Sequence, residues 1–472
     1  MRSFFVSLLL LLMFPASGVA VVCDAGYFSV GENCIESKFQ ITTTELAADT
    51  TFSFYMSAKG TFYVDWGDGN TQTITRTNTT ETKYSHSFSA AGIYTIQFGG
   101  AATGYTTTAS QNNSATLNLG IAAIRFYTGT TTSPHNIGTP GTELYIAGVS
   151  GSIGRVFPTI GSGSGLANQP RFNHLFFGAR NIDCEIPANL FSGISGSGAS
   201  EMFRNTFAYS GFRGSIPENL FPVTTSAHRL FGWTFFSCTK LTGSIPENLF
   251  NRAKGTLQKD MFMATFQGCT GLTGTIPAKL FSGITGGTAD YAFYNVFLGC
   301  TGLTGQIPAG LFSKVRGSGA LGMFGRVFRN CSGLTGWVPP TLFSGVSSYA
   351  TDMMQDIFTG SGLVTVCPCG TTRQTTQFDS YYSGKVACRE LGEAHWHNGT
   401  CVVGCGAGVS RLKTSTGISL PLLSTKISEV NLAVLYNNTT CYVPLFSGTG
   451  QLNVSFNGQT YYAGAPNEIP PE

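Results

Sequence analysis

The chain has 472 residues, of which 11% are charged and 60 are glycine, and its formal net charge is +3. That length admits roughly two to four ordinary domains or one long repeat array with attachments. So small a charge without a run of Lys or Arg excludes a nucleic-acid footprint, and a surface of Thr, Ser, Asn and Gly fits an exported, β-rich or repetitive protein.

Residues 1–20, "MRSFFVSLLLLLMFPASGVA", pair one Arg with an apolar run from Phe4 to Phe14, a Pro break, and Gly18 and Ala20 at the minus-three and minus-one places of a signal-peptidase site. The expected mature start is Val21. The run is too short to span a hydrocarbon core of about 30 Å, so no transmembrane anchor is expected. Lipidation at Cys23 is the alternative, disfavoured by Val22 where Gly or Ala is wanted. Export puts the thirteen cysteines in a disulfide-permissive compartment. Cys23 and Cys34 bracket the short segment 21–38; Cys184, Cys238, Cys269, Cys300 and Cys331 lie in repeats; Cys367, Cys369, Cys388, Cys401, Cys405 and Cys441 follow them. The outer groups are even in number and are the disulfide candidates.

Residues 39–100 alternate as strands, notably Thr61 to Asp65 and Ile93 to Phe98, with turn residues between, which predicts a small antiparallel sandwich. Asp65, Asp68 and Asn70 crowd one turn, but their spacing lacks the pattern of an EF-hand loop, so turn capping is the reading and no metal is expected. The phrase "VDWGDGN" followed by "HSFSAAGIYTI", through Trp66, Gly67, Asp68, Gly69, His86, Phe88, Gly92 and Tyr94, resembles the PKD-like immunoglobulin-type β-sandwich.

Residues 101–150 form a Thr-, Gly- and Asn-rich lead-in with short β-like pieces. Then Ile153, Ile186, Ile216, Ile245, Ile276, Ile307 and Val338 recur at intervals of 33, 30, 29, 31, 31 and 31, which reads as a repeat array over 151–366. Within a unit, "GLTGTI" predicts a strand with Leu272 and Ile276 on one face. Pro277 suits the first turn of a short helix, and "DYAFYNVF" predicts a longer helical piece. The pairs Phe172/Phe176, Phe203/Phe207, Phe231/Phe235, Phe262/Phe266, Phe293/Phe297, Phe324/Phe328 and Met354/Phe358 are each four apart. One helical turn would place both rings on one face and build an aromatic spine along the array.

The phrase carried by Phe266, Cys269, Leu272, Ile276, Pro277, Leu280 and Phe281, and again by Phe297, Cys300, Leu303, Ile307, Pro308, Leu311 and Phe312, resembles the BspA-like bacterial surface leucine-rich repeat. It departs from that family's shorter unit by an inserted Gly-rich loop and a longer helix. The resemblance implies a mixed α/β fold: a leucine-rich-repeat-like solenoid of about 31-residue units flanked by small all-β modules. It also implies export, surface display and adhesion to an extracellular protein or glycan ligand, without catalysis. A Cys-rich connector (367–410) and a C-terminal β module (411–472) complete the chain, with hairpin signals at Asn437-Asn438 and Asn457-Gly458.

Chemistry is sparse. Cys367, Cys369, Cys388, His395, His397, Cys401 and Cys405 could ligate zinc, but no pair has the C-x₂-C spacing, and disulfides are the preferred reading. No G-x-S-x-G, H-E-x-x-H or phosphate loop occurs, and no catalytic residue or cofactor is expected. The alternative function is a polysaccharide-active enzyme on a β-solenoid. Against it, the nine acids of 151–366 recur at repeat positions or sit in loops; the same span has fifteen Lys and Arg, a balance of 15 − 9 = +6 that reads first as a solvated face, with attraction to acidic glycans or anionic surfaces as the alternative. Cys238, Cys269, Cys300 and Cys331 stand 31 apart and form a ladder, read as buried free thiols with sequential bridges as the alternative; earlier units place Ala179 and Tyr209 there.

Overall fold

The computed structural model describes residues 21–363, apart from 110–118, 134–135, 162–164, 336–341, 344, 349 and 351, and beyond 363 only the strands of four hairpins. Residues 1–20 and the expected cleavage site lie outside the described residues. A first hairpin pairs β1 (Tyr27–Val30) with β2 (Asn33–Glu36) and is closed by a Cys23–Cys34 disulfide, the Cα atoms 5.5 Å apart.

The sandwich that follows is made of β3 (Phe39–Thr43), β4 (Thr50–Met56), β5 (Lys59–Asp65), β6 (Thr71–Arg76), β7 (Thr82–Phe88), β8 (Thr95–Gly104), β9 (Ile124–Arg125) and, after a short hairpin of β10 (Thr131–Ser133) with β11 (Asn136–Ile137), β12 (Ile146–Gly151). One antiparallel sheet has the order β12-β3-β8-β5-β6 and the other β7-β4-β9. Alternation does the sorting: Phe39 and Ile41 on β3, Phe62 and Val64 on β5, and Ile96 and Phe98 on β8 are buried, while their neighbours face outward.

The repeat array is where the expectation fails. It is not mixed α/β: among the described residues the helical content is one four-residue helix, α1 (Ile153–Val156), and three single turns of 3-10 helix. The segments read as helices are chains of tight turns. Arg204 N donates to Glu201 O (3.2 Å) and Thr206 N to Phe203 O (3.3 Å), whereas Phe203 N donates to Leu230 O (3.0 Å), Asn205 N to Gly232 O (3.0 Å) and Phe207 N to Thr234 O (2.9 Å). Every second N–H thus closes a three-residue turn, and the ones between reach the next unit. An α-helix would consume all of them internally.

Every fourth residue has positive φ: Glu201 (64°), Asn205 (55°) and Tyr209 (59°), then Arg229 (53°), Trp233 (56°) and Ser237 (54°). That reversal stops a right-handed helix yet returns the chain to the same face after four residues. A repeat of four therefore reads alike for a helix and for this turn ladder. The Pro-containing segment is likewise one turn, with Leu280 N bonded to Pro277 O (3.2 Å).

Successive units lie parallel. Leu–Thr–Gly segments form single parallel bridges, Gly243 with Leu272, Gly274 with Leu303 and Gly305 with Leu334. Short strands β13 (Thr224–Thr225), β14 (Ala253–Thr256) and β15 (Ile284–Gly286) make a three-stranded parallel sheet, and β16 (Gly317–Ser318) pairs β17 (Val346–Ser348). One hydrophobic core runs without interruption from Phe39 in the sandwich to Phe358 in the last described unit. Beyond it, antiparallel pairs join 394–397 to 400–403, 411–413 to 419–421, 431–436 to 439–444 and 453–456 to 459–462. No described helix is long and apolar enough to cross a membrane.

Candidate functional site

The phenylalanine pairs lie in two parallel columns. Phe172, Phe203, Phe231, Phe262, Phe293 and Phe324 follow one another at 5.5–6.3 Å between centroids. Phe176, Phe207, Phe235, Phe266, Phe297, Phe328 and Phe358 do so at 5.3–6.2 Å. A third column, from the second apolar residue of each Pro-x-x-Leu-Phe turn, escaped the sequence reading: Phe191, Phe221, Phe250, Phe281, Phe312 and Phe343, at 5.8–6.2 Å. It wedges against the first at 4.8 Å and 60° for Phe262 and Phe281. The recurrence of that Phe at unit spacing was the available signal. Each buried ring contributes roughly 1.5–3 kcal/mol by area, and no unit covers its own rings.

Beside the second column run the cysteines. Cys238, Cys269, Cys300 and Cys331 are buried and not bonded to one another. Each thiol donates to a Phe carbonyl of the preceding unit: Cys238 to Phe207 (2.9 Å), Cys269 to Phe235 (2.9 Å), Cys300 to Phe266 (3.0 Å) and Cys331 to Phe297 (2.9 Å). The same Phe235 carbonyl accepts the Cys238 N–H at 3.1 Å, so one oxygen ties two units together. Burial pushes the Cys238 and Cys331 thiols up to about 12, and Cys269 and Cys300 well above the usual thiol range. Such thiols are poor nucleophiles and poor metal ligands.

The column ends in serine on both sides. Ser210 N bonds to Phe207 O (2.9 Å) and Ser361 N to Phe358 O (3.0 Å), as the cysteines do in their own units. The position assigned to Tyr209 by counting back from Ile216 therefore belongs to Ser210, because that unit is one residue short between Phe207 and Phe212. Cys184 is half-buried and unbridged. Cys367, Cys369, Cys388 and Cys405 lie outside the described residues, as do the side chains of Cys401 and Cys441.

The outer side of the turn ladder carries a second feature that the sequence reading missed. Glu201, Arg229 and Asp260 occupy one position in three consecutive units, wholly buried, with Arg229 Nη1 2.9 Å from Glu201 Oε1 and Arg229 Nε 3.0 Å from Asp260 Oδ2. Arg204 Nη1 also reaches Glu201 Oε1 at 3.0 Å and stacks 5.1 Å from the Trp233 ring centre. Alternating charge at unit spacing was the sign of it. Three further acids of the array form ion pairs: Asp183 with Arg213, Glu247 with Lys279 and Asp356 with Arg329. No group of three metal-ligating side chains occurs among the described residues.

In the sandwich, Asp65 Oδ1 accepts Gly67 N (2.9 Å), Asp68 Oδ1 accepts Asn70 N (3.1 Å) and Asp68 Oδ2 lies 2.7 Å from His86 Nε2. The His86 ring stacks on Trp66 at 4.9 Å. Burial opposes ionisation of Asp68, but the His86 and Asn70 donors outweigh it and hold its carboxyl below the usual range. These groups cap a turn.

The exposed strip of the array is different in kind. Between buried Leu and Ile, the outward residues are Asp183, Arg213, Thr242, Thr273 and Thr304 in one column and Glu185, Ser215, Ser244, Thr275 and Gln306 in the next. The backbone repeats, while the first column passes from Asp and Arg to Thr and the second from Glu through Ser and Thr to Gln. No known protein family, curated protein or solved structure matches the chain.

Proposed function

We propose that the chain is an exported, cell-surface or secreted binding scaffold that holds a protein or glycan ligand on the face of its repeat stack. The observation that carries this reading is the exposed strip, where Asp183, Arg213, Thr242 and Thr273 occupy equivalent places on a fixed backbone. A stack whose interior repeats and whose surface varies presents an extended, adjustable contact area. The chemistry of the interior supports it: cysteines protonated by burial and acids held by arginines are spent on structure.

Export is supported by the leader-like first twenty residues and by the Cys23–Cys34 disulfide. The phrase shared with BspA-like surface repeats and the PKD-like turn of Trp66 to Gly69 support surface display. The helix-bearing coil of that repeat family does not carry over. The test is an array of glycans and extracellular-matrix proteins probed with the mature chain. Saturable binding that weakens when Thr273 and Thr304 are replaced by Arg is expected; release of reducing sugar from a polysaccharide, without such binding, would overturn the reading in favour of an enzyme.

A further inference from the structure

Five described units end their turn ladder in glycine immediately before the next apolar residue, Phe212, Leu272, Leu303, Leu334 or Leu363: Gly211, Gly271, Gly302, Gly333 and Gly362. The reason is steric. A Cβ on Gly271 would lie 2.4 Å from Leu241 O and 2.7 Å from Thr239 O, carbonyls of the unit before, and one on Gly302 would meet Leu272 O at 2.4 Å. Lys240 stands at this position in the third unit. The unit before it runs from Phe207 to Phe212 with one residue fewer, and so lacks the residue equivalent to Thr239, one of the two carbonyl neighbours of this position in the regular units.

The departures cluster. Arg180 in the first unit takes the place of Thr239 and Thr270, and Tyr209 in the second takes the place of Gly268 and Gly299. Around the shortened unit lies an open cavity of about 600 Å³, lined by Arg180, Tyr209, Ser237, Thr239 and Lys240, with Ile137 at its side. None of its described lining residues is a carboxylate. Tyr209 is held in the wall by edge-on contacts with Phe236 (5.1 Å) and Phe177 (5.7 Å). Burial raises its phenol pKa, and the nearby Arg180 charge counteracts part of that rise.

The regular units carry Thr where Arg180 stands and Gly where Tyr209 and Lys240 stand, so these three are not required by the common stacking pattern. We propose that this cavity is a binding site for an acidic sugar residue, a uronate or sulfated hexose, whose anion is held between Arg180 and Lys240. The hydroxyls of Ser237 and Thr239 meet the sugar hydroxyls, and the Tyr209 ring offers it an aromatic wall. The volume falls in the range of small-ligand sites, and two cations without a competing carboxylate select an anion. The inference rests on the binding-scaffold reading and names one ligand class for it.

The experiment is calorimetric titration of the mature chain with glucuronic acid, glucose and acetate at low and high ionic strength. Glucuronate is expected to bind at least about tenfold more tightly than either glucose or acetate, and less tightly at high salt. Arg180→Thr and Lys240→Gly, each installing the residue of a regular unit, should lower that affinity about tenfold or more and leave the unfolding midpoint unchanged. Equal binding of glucuronate and glucose overturns the assignment, as does parental affinity in both variants; acetate binding as well as glucuronate reduces the site to a simple anion site and overturns the sugar. Undiminished array binding by both variants rejects this cavity while the scaffold reading stands, whereas no array ligand at all rejects the scaffold itself.

Discussion

In the sandwich, Phe54 meets Trp66, Tyr84, Phe98 and Phe126 at interplanar angles of 34°, 27°, 74° and 60°. In the repeat array, Phe266 meets Phe235 and Phe297 at 2° and 4°. The first core is assembled from residues distant in sequence, each in its own setting. The second is one setting copied. Loss of a ring in the sandwich disturbs a unique arrangement of both sheets, whereas loss in the array is felt first by the two units on either side.

The largest expected divergence between the two regions is with pH. An unfolded chain releases its thiol protons near the ordinary value of 9.0, while Cys238 and Cys331 hold theirs to about 12 in the folded array. Between those limits the folded state binds more protons, so stability present below pH 9.0 is lost as pH rises towards 12. The described part of the sandwich has no free thiol; the buried Tyr105 phenol at the end of β8, raised well above its ordinary 10.0, acts with the same sign but only above that value. Hydrogen exchange at increasing alkalinity should therefore show the array opening while the sandwich strands keep their protection; simultaneous loss would break the comparison.

Next in size is Phe266→Ala, expected to cost about 3–5 kcal/mol in denaturant unfolding. Exchange protection should fall in the units of Phe235 and Phe297 before it falls elsewhere, whereas Phe54→Ala, at similar cost, should weaken both sheets together. Arg229→Met follows at about 3 kcal/mol, because it leaves Glu201 and Asp260 buried without their shared cation; adding Asp260→Asn should recover part of the loss, since Glu201 keeps Arg204. The smallest is Gly299→Ala. Its φ of 74° and open surroundings leave only backbone strain, about 1–2 kcal/mol, read from the same unfolding curves.

The period, the marker residues and the paired rings were legible because a stack must present the same apolar residue at the same place in every unit. The path of the backbone was not. Phe203 and Phe207 share a face in a helix and equally in a ladder of turns, and nothing apolar distinguishes the two. What does is the residue between them, Asn205, whose positive φ is foreign to a helix; Asn tolerates it, but Trp233 and Arg229 adopt it too, against their preference. The carbonyl of the next unit satisfies the N–H that a helix would have used, an exchange that exists only once the neighbour is in place. The buried Glu201–Arg229–Asp260 column and the cavity at Lys240 were hidden for a related reason: both arise where units depart from the common phrase, and the eye follows the phrase.

The second ring column does not begin in the array. Phe126 stacks on Phe176 at 5.8 Å and 15°, and Phe126 itself packs on Phe39, Phe52, Phe54 and Phe98. During synthesis the segments of the sandwich before residue 127 leave the ribosome ahead of every repeat, and they carry the seat for the first ring. A stack of repeats left to itself must order two units before either gains from the other, an entropic barrier that a preformed seat lowers. The sandwich is thus a template, and assembly is expected to advance from Phe176 towards Phe358 one unit at a time, in the direction in which the chain is made.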